Sequence, residues 1–417
     1  MTTSEFIQQY RNDDVRQLAF LASKYPEVDA VFALDQIRGW QIAQTKLPRW
    51  AAVDGLQYPP HLSMEQCSSE PTADYKAAVA RRLASESLRT NEKALFVDIT
   101  GGFGVDFSYI ASALDIKAVY VERNEVLCNL ARHNFPLLGL DKAEVVCGDG
   151  EEYAKKLEKA TMVYIDPARR DEHGARTYGI EDCTPNILEL LPMLMQKTDC
   201  VVVKLSPMLD WHSAVAAVDG CLDGGSCVTE VHIVSLANEC KELLMVVAHG
   251  KQKLKVVCVN GNQQFAYCPD EDVASVSYSD SEADAIVGNY LFEPNASIMK
   301  AGCFQALAAK YGVSGVGRNS HLFVSTEDVA EFPGRRFIVE AMSTMNKKEL
   351  KRTLANITKA NITTRNFPLS VAELRKRLKL KDGGDVYLFA TTLADDSHVI
   401  LVCKKAKLTE RSKITEK

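Results

Sequence analysis

The stretch FVDITGGFGVDF, Phe96 to Phe107, passes from an apolar strand into a glycine-rich turn and then into a helical run. Gly101, Gly102 and Gly104 let the backbone turn sharply and lie against a ligand where side chains would collide, at the N-terminus of the next helix. A dinucleotide-binding loop places a further glycine three residues beyond Gly104, for close helix–strand packing. Phe107 occupies that place here, which weakens a nicotinamide-dinucleotide reading.

Outward from this turn, short apolar strands alternate with helical stretches: ALFVDI, AVYVER, AEVVCGD, MVYIDP and CVVVKLS. Such alternation predicts a parallel sheet with crossover helices. Two further strands, VTEVHIVSL and ELLMVVAH, have only ANECK between them, too short for a crossover, so they are expected to form an antiparallel hairpin. Before the sheet, SEFIQQYRNDDVRQLAFLASKY and VDAVFALDQIRGWQIAQTKL space their apolar residues at helical intervals. After it come a hairpin with Asn-Gly at its turn (KLKVVCVNGNQQFAYC), a helix through NASIMKAGCFQALAAKYG, and a closing α+β segment. That segment reads strand RRFIVEAM, helix KKELKRTLANITK, strand ANITTRNF, helix VAELRKRLKL and a final hairpin. The expected organisation is a helical cap over residues 1–90, the α/β domain over 91–250, a linker domain over 251–330, a basic module over 331–405 and a flexible tail over 406–417.

The chain has 417 residues, 46% of them hydrophobic and 25% charged, an ordinary globular mixture with room for two or three domains. No apolar run reaches transmembrane length, and the first residues lack a basic region followed by an apolar core, so a cytoplasmic protein is expected. Twelve cysteines are scattered without a C-x-x-C pair and read as thiols in a reducing compartment. The eight histidines show no metal-ligand spacing, so no metal site is expected. The net charge of −6 is unevenly spread: from Glu331 onward the chain carries about +9, leaving about −15 on the remainder.

Three acids fall at predicted strand ends: Asp98 ends the first strand, Glu122 the second, and Asp149 follows the third. In an open α/β sheet the ligand crevice lies at the carboxyl ends of the strands, so the three converge. They suit a ligand with a cationic end, a ribose diol and an adenine amino group. Glu122 would accept from the ribose hydroxyls, Asp149 from the adenine amine, and Asp98 would position the loop residues Thr100, Gly101, Gly102 and Gly104 near the amino-acid end, with Arg123 beside Glu122. That ligand is S-adenosylmethionine.

With this ordered set of motifs the chain resembles the class I methyltransferases from about Lys93 to Gly250, which implies a Rossmann-like, seven-stranded α/β sheet ending in a hairpin. DITGGFGVD with VERN is similar to the bacterial ribosomal-RNA guanine-N2 methyltransferases, whose loop reads D-A-T-A-G-L-G-x-D. A resemblance over nearly the whole chain rests on LSMEQCSSEPTADYKA, DPARRD, KLSPMLD, EPNASIMKAG and KANITTRNFPL with ELRKRLKLKDGGDVYLFATT. It is to bacterial methyltransferases with a ferredoxin-like insert and a C-terminal THUMP-like domain. It implies the fold and the cofactor more firmly than the reaction.

Asp166 then stands where amine-methylating enzymes of this class carry Asp/Asn-Pro-Pro followed by an aromatic residue. The resemblance implies that Asp166 and the Pro167 region accept hydrogen bonds from a target amine during direct in-line transfer. The chain departs from the pattern at Ala168 and at Arg169, which takes the aromatic's place and can stack on a base or grip phosphate; Arg170 adds a second substrate contact. A covalent uracil-C5 route needs a cysteine after the fifth strand, where this chain has Ser206, so it is disfavoured. Lys204, Ser206 and Pro207 are expected to line the crevice. The polar segment from Met64 to Lys76 reads either as a lid, with Gln66 and Ser69 near the cofactor, or as an ordinary capped helix.

Between Lys347 and Lys381 the basic residues, Lys348, Arg352, Arg365, Arg375 and Arg377 among them, are opposed by few acids. Such density suits phosphate, and the THUMP-like resemblance implies RNA. The same spacing also fits solvated amphipathic helices. The expected function is S-adenosylmethionine-dependent methylation of RNA at an exocyclic base nitrogen, guanine N2 foremost. The alternatives are a DNA or protein methyltransferase, and a non-catalytic RNA-binding protein that keeps the cofactor fold.

Overall fold

The computed structural model describes residues 1–90, 93–168, 179–250 and 252–406. The chain divides into two compact units, one of residues 1–231 and 242–253, the other of 232–241 and 254–417. The expected flexible tail falls almost wholly on 407–417, outside the described residues.

The first unit opens with helices Thr3–Tyr10, Val15–Ala22, Ala30–Lys46, Pro48–Ala51, His61–Gln66 and Glu70–Thr90. Their starts are written in the sequence: Thr2 and Glu5 form a reciprocal capping box, Asp14 and Asp29 cap the next two, and Pro48 takes the first turn of the fourth. The first three bury Phe6, Leu18, Ala22, Ala33 and Ile37 in a small core of their own.

The sheet strands follow: β1 (Leu95–Asp98), β2 (Lys117–Glu122), β3 (Ala143–Cys147), β4 (Ala160–Ile165), β5 (Thr198–Leu205), β6 (Ser226–Leu236) and β7 (Glu239–His249). They run in the order β3-β2-β1-β4-β5-β7-β6. The first five pair in parallel and β7 lies antiparallel to β5. The expected seven-stranded arrangement is present. Ala237 and Asn238, with φ of 51° and 62°, make the turn between β6 and β7, the left-handed pair that a two-residue hairpin needs. The order reverses between β1 and β4, so their carboxyl ends open the crevice of a doubly wound sheet.

Phe107 also finds its reason here. Its ring is fully buried, 5.7 Å from Phe96 and 5.0 Å from Phe135, with Tyr120 edge-on at 5.5 Å. An aromatic layer fills the space that a third glycine would otherwise close by bringing helix and strand together.

In the second unit, β8 (Lys255–Asn260) and β9 (Gln263–Tyr267) form the expected hairpin, with Gly261 at φ 57°. Strands β10 (Tyr290–Pro294), β11 (Ser314–Gly315), β12 (Phe323–Ser325), β13 (Gly334–Thr344), β14 (Asn361–Arg365), β15 (Val386–Thr392) and β16 (His398–Lys405) form a separate sheet, in the order β11-β12-β10-β13-β16-β15-β14. Helix Val371–Leu378 carries the chain from β14 to its parallel neighbour β15.

Two helices differ from expectation. The one expected through NASIMKAGCFQALAAKYG is broken into Ala296–Ala301 and Phe304–Tyr311 by Gly302, which ends the first in a left-handed cap at φ 70°. The one expected through KKELKRTLANITK stops at Thr353, after which the Ile357 amide turns back to the Leu354 carbonyl.

Candidate active site

The glycine loop is shaped from beneath by β2. A Cβ on Gly101 would stand 2.2 Å from the Tyr120 ring, and Gly104 starts helix Val105–Leu114 at φ 84°, so both positions need glycine. The Tyr120 hydroxyl donates to the Gly102 carbonyl, and the Gly101 amide donates to Val121 at 2.9 Å. Glu122 ends β2 with its carboxylate already aimed: one oxygen accepts from the Gly102 amide and the other from the Asn124 amide, both at 2.8 Å. Each oxygen keeps a lone pair for a diol.

Asp98 ends β1 and is 1% exposed. Its Oδ1 accepts from the amide and hydroxyl of Thr100, at 2.9 and 3.2 Å. Burial pushes its carboxyl up to about 8; the Thr100 amide opposes the rise, and the charges of Asp106 and Asp166 add to it. Asp149 is exposed and caps helix Gly150–Lys156 by accepting from the Glu152 amide at 3.0 Å, and Arg123 is exposed beside the loop. These residues are of the kind S-adenosylmethionine needs: carboxylates at the ends of β1 and β2 and after β3, around a loop too tight for side chains.

Asp166 and Lys204 leave the ends of adjacent strands β4 and β5. The Asp166 amide donates to the Thr100 hydroxyl at 2.7 Å, and Lys204 Nζ lies 2.5 Å from Asp166 Oδ2. Lys204 is not a solvent-facing strand end, since its side chain is 14% exposed. Burial alone would lower its pKa, but the charges of Asp166, Asp106 and Glu242 outweigh that and hold it above the ordinary lysine value. Ser206 is buried and its hydroxyl accepts from the Met208 amide at 3.1 Å; Pro167 is buried after Asp166. Arg169 and Arg170 lie outside the described residues.

Behind Lys204 stand residues that the sequence reading did not single out. Asp106, in the first turn after the glycine loop, lies 3.6 Å from Lys204 and 3.1 Å from Lys76. Lys76, fully buried, reaches both oxygens of Glu242 at 2.7 Å and the Ser68 hydroxyl at 2.8 Å. Tyr164 and Ser68 donate to Asp106 Oδ2 at 2.8 and 2.9 Å. Burial raises the Asp106 carboxyl, but Lys76 and Lys204, with the two hydroxyls, bring it below the usual range. At Glu242 burial prevails over the same two lysines and its carboxyl is raised. The signal in the sequence was a Glu at the head of the apolar run of β7. The Met64–Lys76 segment runs from the end of helix His61–Gln66 into the start of helix Glu70–Thr90, with Ser69 against Thr72 at 3.2 Å, Gln66 exposed, and Ser68 and Lys76 turned into this network.

In the second unit, Lys348, Arg352 and Arg377 are exposed and make no ion pair among the described residues. Arg365 is instead held by the buried Glu293 at 3.0 Å, and Arg375 by Asp382 at 2.6 Å. Among the described residues there is no metal-ligand group and no helix long and apolar enough to cross a membrane.

The chain matches the ferredoxin-like domain family over residues 290–333 and the THUMP domain-like family over 334–405. No curated protein matches it by sequence. Among solved structures it is similar to a candidate methyltransferase from Porphyromonas gingivalis W83, with 31% identity, 98% of this chain and 100% of that one covered, and a TM-score of 0.81. It also overlaps an S-adenosylmethionine-dependent methyltransferase from Agrobacterium tumefaciens, at 16% identity, 42% and 62% coverage and a TM-score of 0.33. A candidate RNA methyltransferase from Pyrococcus horikoshii aligns at 14% identity, 49% and 97% coverage and a TM-score of 0.34. Neither of these last two carries an argument at such scores. The full-length match, with the sheet order and the two domain matches, decides the assignment: the chain belongs to the family of bacterial class I S-adenosylmethionine-dependent methyltransferases that carry a ferredoxin-like domain and a C-terminal THUMP-like domain.

Proposed function

We propose that the protein methylates RNA on an exocyclic amine of a base, guanine N2 foremost, by direct in-line transfer. The observation that carries this reading is Asp166, held at the crevice through its backbone amide by Thr100 and through its carboxylate by Lys204, with 39% of its side chain exposed. S-adenosylmethionine, when bound, supplies a methyl group on a positively charged sulfur. Glu122 would receive the ribose hydroxyls and Asp149 the adenine amine, and Asp98 would hold the loop near the amino-acid end.

Asp166 accepts an N–H of the target amine, which turns the nitrogen lone pair toward the methyl group. Positioning of this kind can supply a large part of the rate in a displacement. As the N–CH3 bond forms and the S–CH3 bond breaks, the positive charge passes to the nitrogen. The nitrogen then releases a proton to Asp166 or to water. Lys204 stays protonated throughout and cannot be the base. No histidine, lysine or carboxylate hydrogen-bonds Ser206 among the described residues, which supports a route without a covalent intermediate.

The free cations Lys348, Arg352 and Arg377 support RNA as the polymer, since unpaired charges on one small domain suit a phosphate backbone. The test is calorimetric titration with S-adenosylmethionine, followed by tritium-methyl transfer onto total RNA from cells that lack the protein and nucleoside identification by mass spectrometry. Methylated guanosine in the product supports the reading. Label in DNA or protein and none in RNA overturns it.

A further inference from the structure

The buried charge network leads to a second assignment, which rests on the role given to Asp166 above. We infer that Lys76, Asp106 and Glu242 are positioning residues for methyl transfer, which hold the Lys204 ammonium against Asp166 and so fix the carboxylate that receives the target amine.

The argument begins with cost. A lysine with no exposed side-chain surface survives in a core only if its donors are all met, and apolar residues of the same volume would usually serve stability as well or better. Lys76 meets the condition by spending its hydrogens on Ser68 and both oxygens of Glu242, with Asp106 beside it. A pair needed only for packing could end there. This one continues. Asp106 is shared between Lys76 and Lys204, Lys204 reaches Asp166, and exposure rises along the chain from 0% at Lys76 to 14% at Lys204 and 39% at Asp166. The network thus opens at one end, and that end is the proposed acceptor position.

Its components come from separate elements: Lys76 from helix Glu70–Thr90, Asp106 from the helix after the glycine loop, Asp166 from the end of β4, Lys204 from β5 and Glu242 from β7. Among the described residues, the other titratable groups coupled to this cluster are Asp98, Tyr164 and Cys67. Fully ionised, three carboxylates face two ammonium groups, a surplus of one negative charge that complements a sulfonium. Within the network, Asp106 and Glu242 make Lys204 a fixed cation. It can orient Asp166 and donate to an acceptor atom beside the target amine, but cannot take the proton that leaves.

The experiment uses the full-length protein, acetic anhydride and undermethylated total RNA. The pH midpoint of Lys204 acetylation is followed by peptide mass spectrometry against exposed Lys348 in the same sample, because only a neutral amine reacts and the midpoint is independent of accessibility. In the wild type the Lys204 midpoint is expected to lie above that of Lys348; a midpoint at or below it overturns the inference without any variant. In Glu242→Gln the midpoint is expected to fall by about one pH unit or more, a tenfold change in acidity. S-adenosylmethionine affinity should stay within about twofold, and kcat should fall about ten- to a hundredfold at unchanged KM for RNA. If Glu242→Gln does not yield folded protein, Asp106→Asn removes the other counter-charge and is read in the same way. An unshifted midpoint in a folded variant overturns the inference, as does full activity in a variant with a shifted one. A shifted midpoint with no transfer to RNA by the wild type instead sinks the substrate reading while the hold on Lys204 stands.

Discussion

The Asp166 amide donates a 2.7 Å hydrogen bond to the Thr100 hydroxyl, which itself donates to Asp98. One small side chain therefore joins the end of β1, the glycine loop and the end of β4. The proposed cofactor-binding carboxylate and the proposed acceptor carboxylate cannot shift independently.

Thr100→Val keeps the shape and removes both bonds. A buried polar group left without its partner costs about 1–3 kcal/mol, so S-adenosylmethionine affinity is expected to fall about five- to a hundredfold. Calorimetry reads the change, and unaltered affinity would show that the linkage has no part in binding.

Glu122→Ala removes the carboxylate proposed for the ribose diol and also frees the Gly102 and Asn124 amides. Micromolar S-adenosylmethionine binding should be lost while the far-ultraviolet circular dichroism is unchanged. Binding that survives would move the cofactor away from the glycine loop.

Asp98 sets a pH dependence. Its carboxyl is raised to about 8 in the folded protein, against about 3.9 in an unfolded chain. Between those values the folded state holds a proton that the unfolded state has released, so the stabilising share of Asp98 is complete at low pH and is lost as pH rises toward 8. Thermal unfolding of the ligand-free protein should show a decline over this window that is smaller in Asp98→Asn. Affinity for S-adenosylmethionine, which needs the anion, should rise with pH up to about 8.

Phe107→Ala should destabilise by about 3–5 kcal/mol, as for other buried aromatics truncated to alanine. Denaturant unfolding measures it. A cost below about 1 kcal/mol would remove the explanation offered for the missing third glycine.

The basic residues divide into two kinds. Replacing Lys348, Arg352 and Arg377 together by alanine should weaken RNA binding and flatten its salt dependence, with little change in stability. Arg365→Ala should instead lower stability, because Glu293 is 3% exposed and loses part of its charge partnership. Filter binding at several salt concentrations and thermal melts separate the two effects.

Much of the fold was legible because local rules govern it. Strand and helix periods alternate from Leu95 onward, the glycines stand where the backbone needs them, and capping residues mark the helix starts. Where expectation missed at Gly302, a local stop signal had been read through; after Thr353 the helix stops before Leu354 and Ala355, good helix formers that carry no such signal. The strand-end acids were legible too, because a parallel sheet puts the carboxyl ends of its strands on one edge.

The sequence by itself therefore determined the sheet, the glycine loop and the acids at the strand ends. Only the tertiary structure decided which charges are partners. Lys76 and Glu242 stand 166 positions apart and meet at 2.7 Å, and Arg365 is turned to Glu293 while Lys348 remains free. A charge in a sequence carries no record of its counter-charge: pairing depends on burial and distance in space, which arise only when separate helices and strands close on one core.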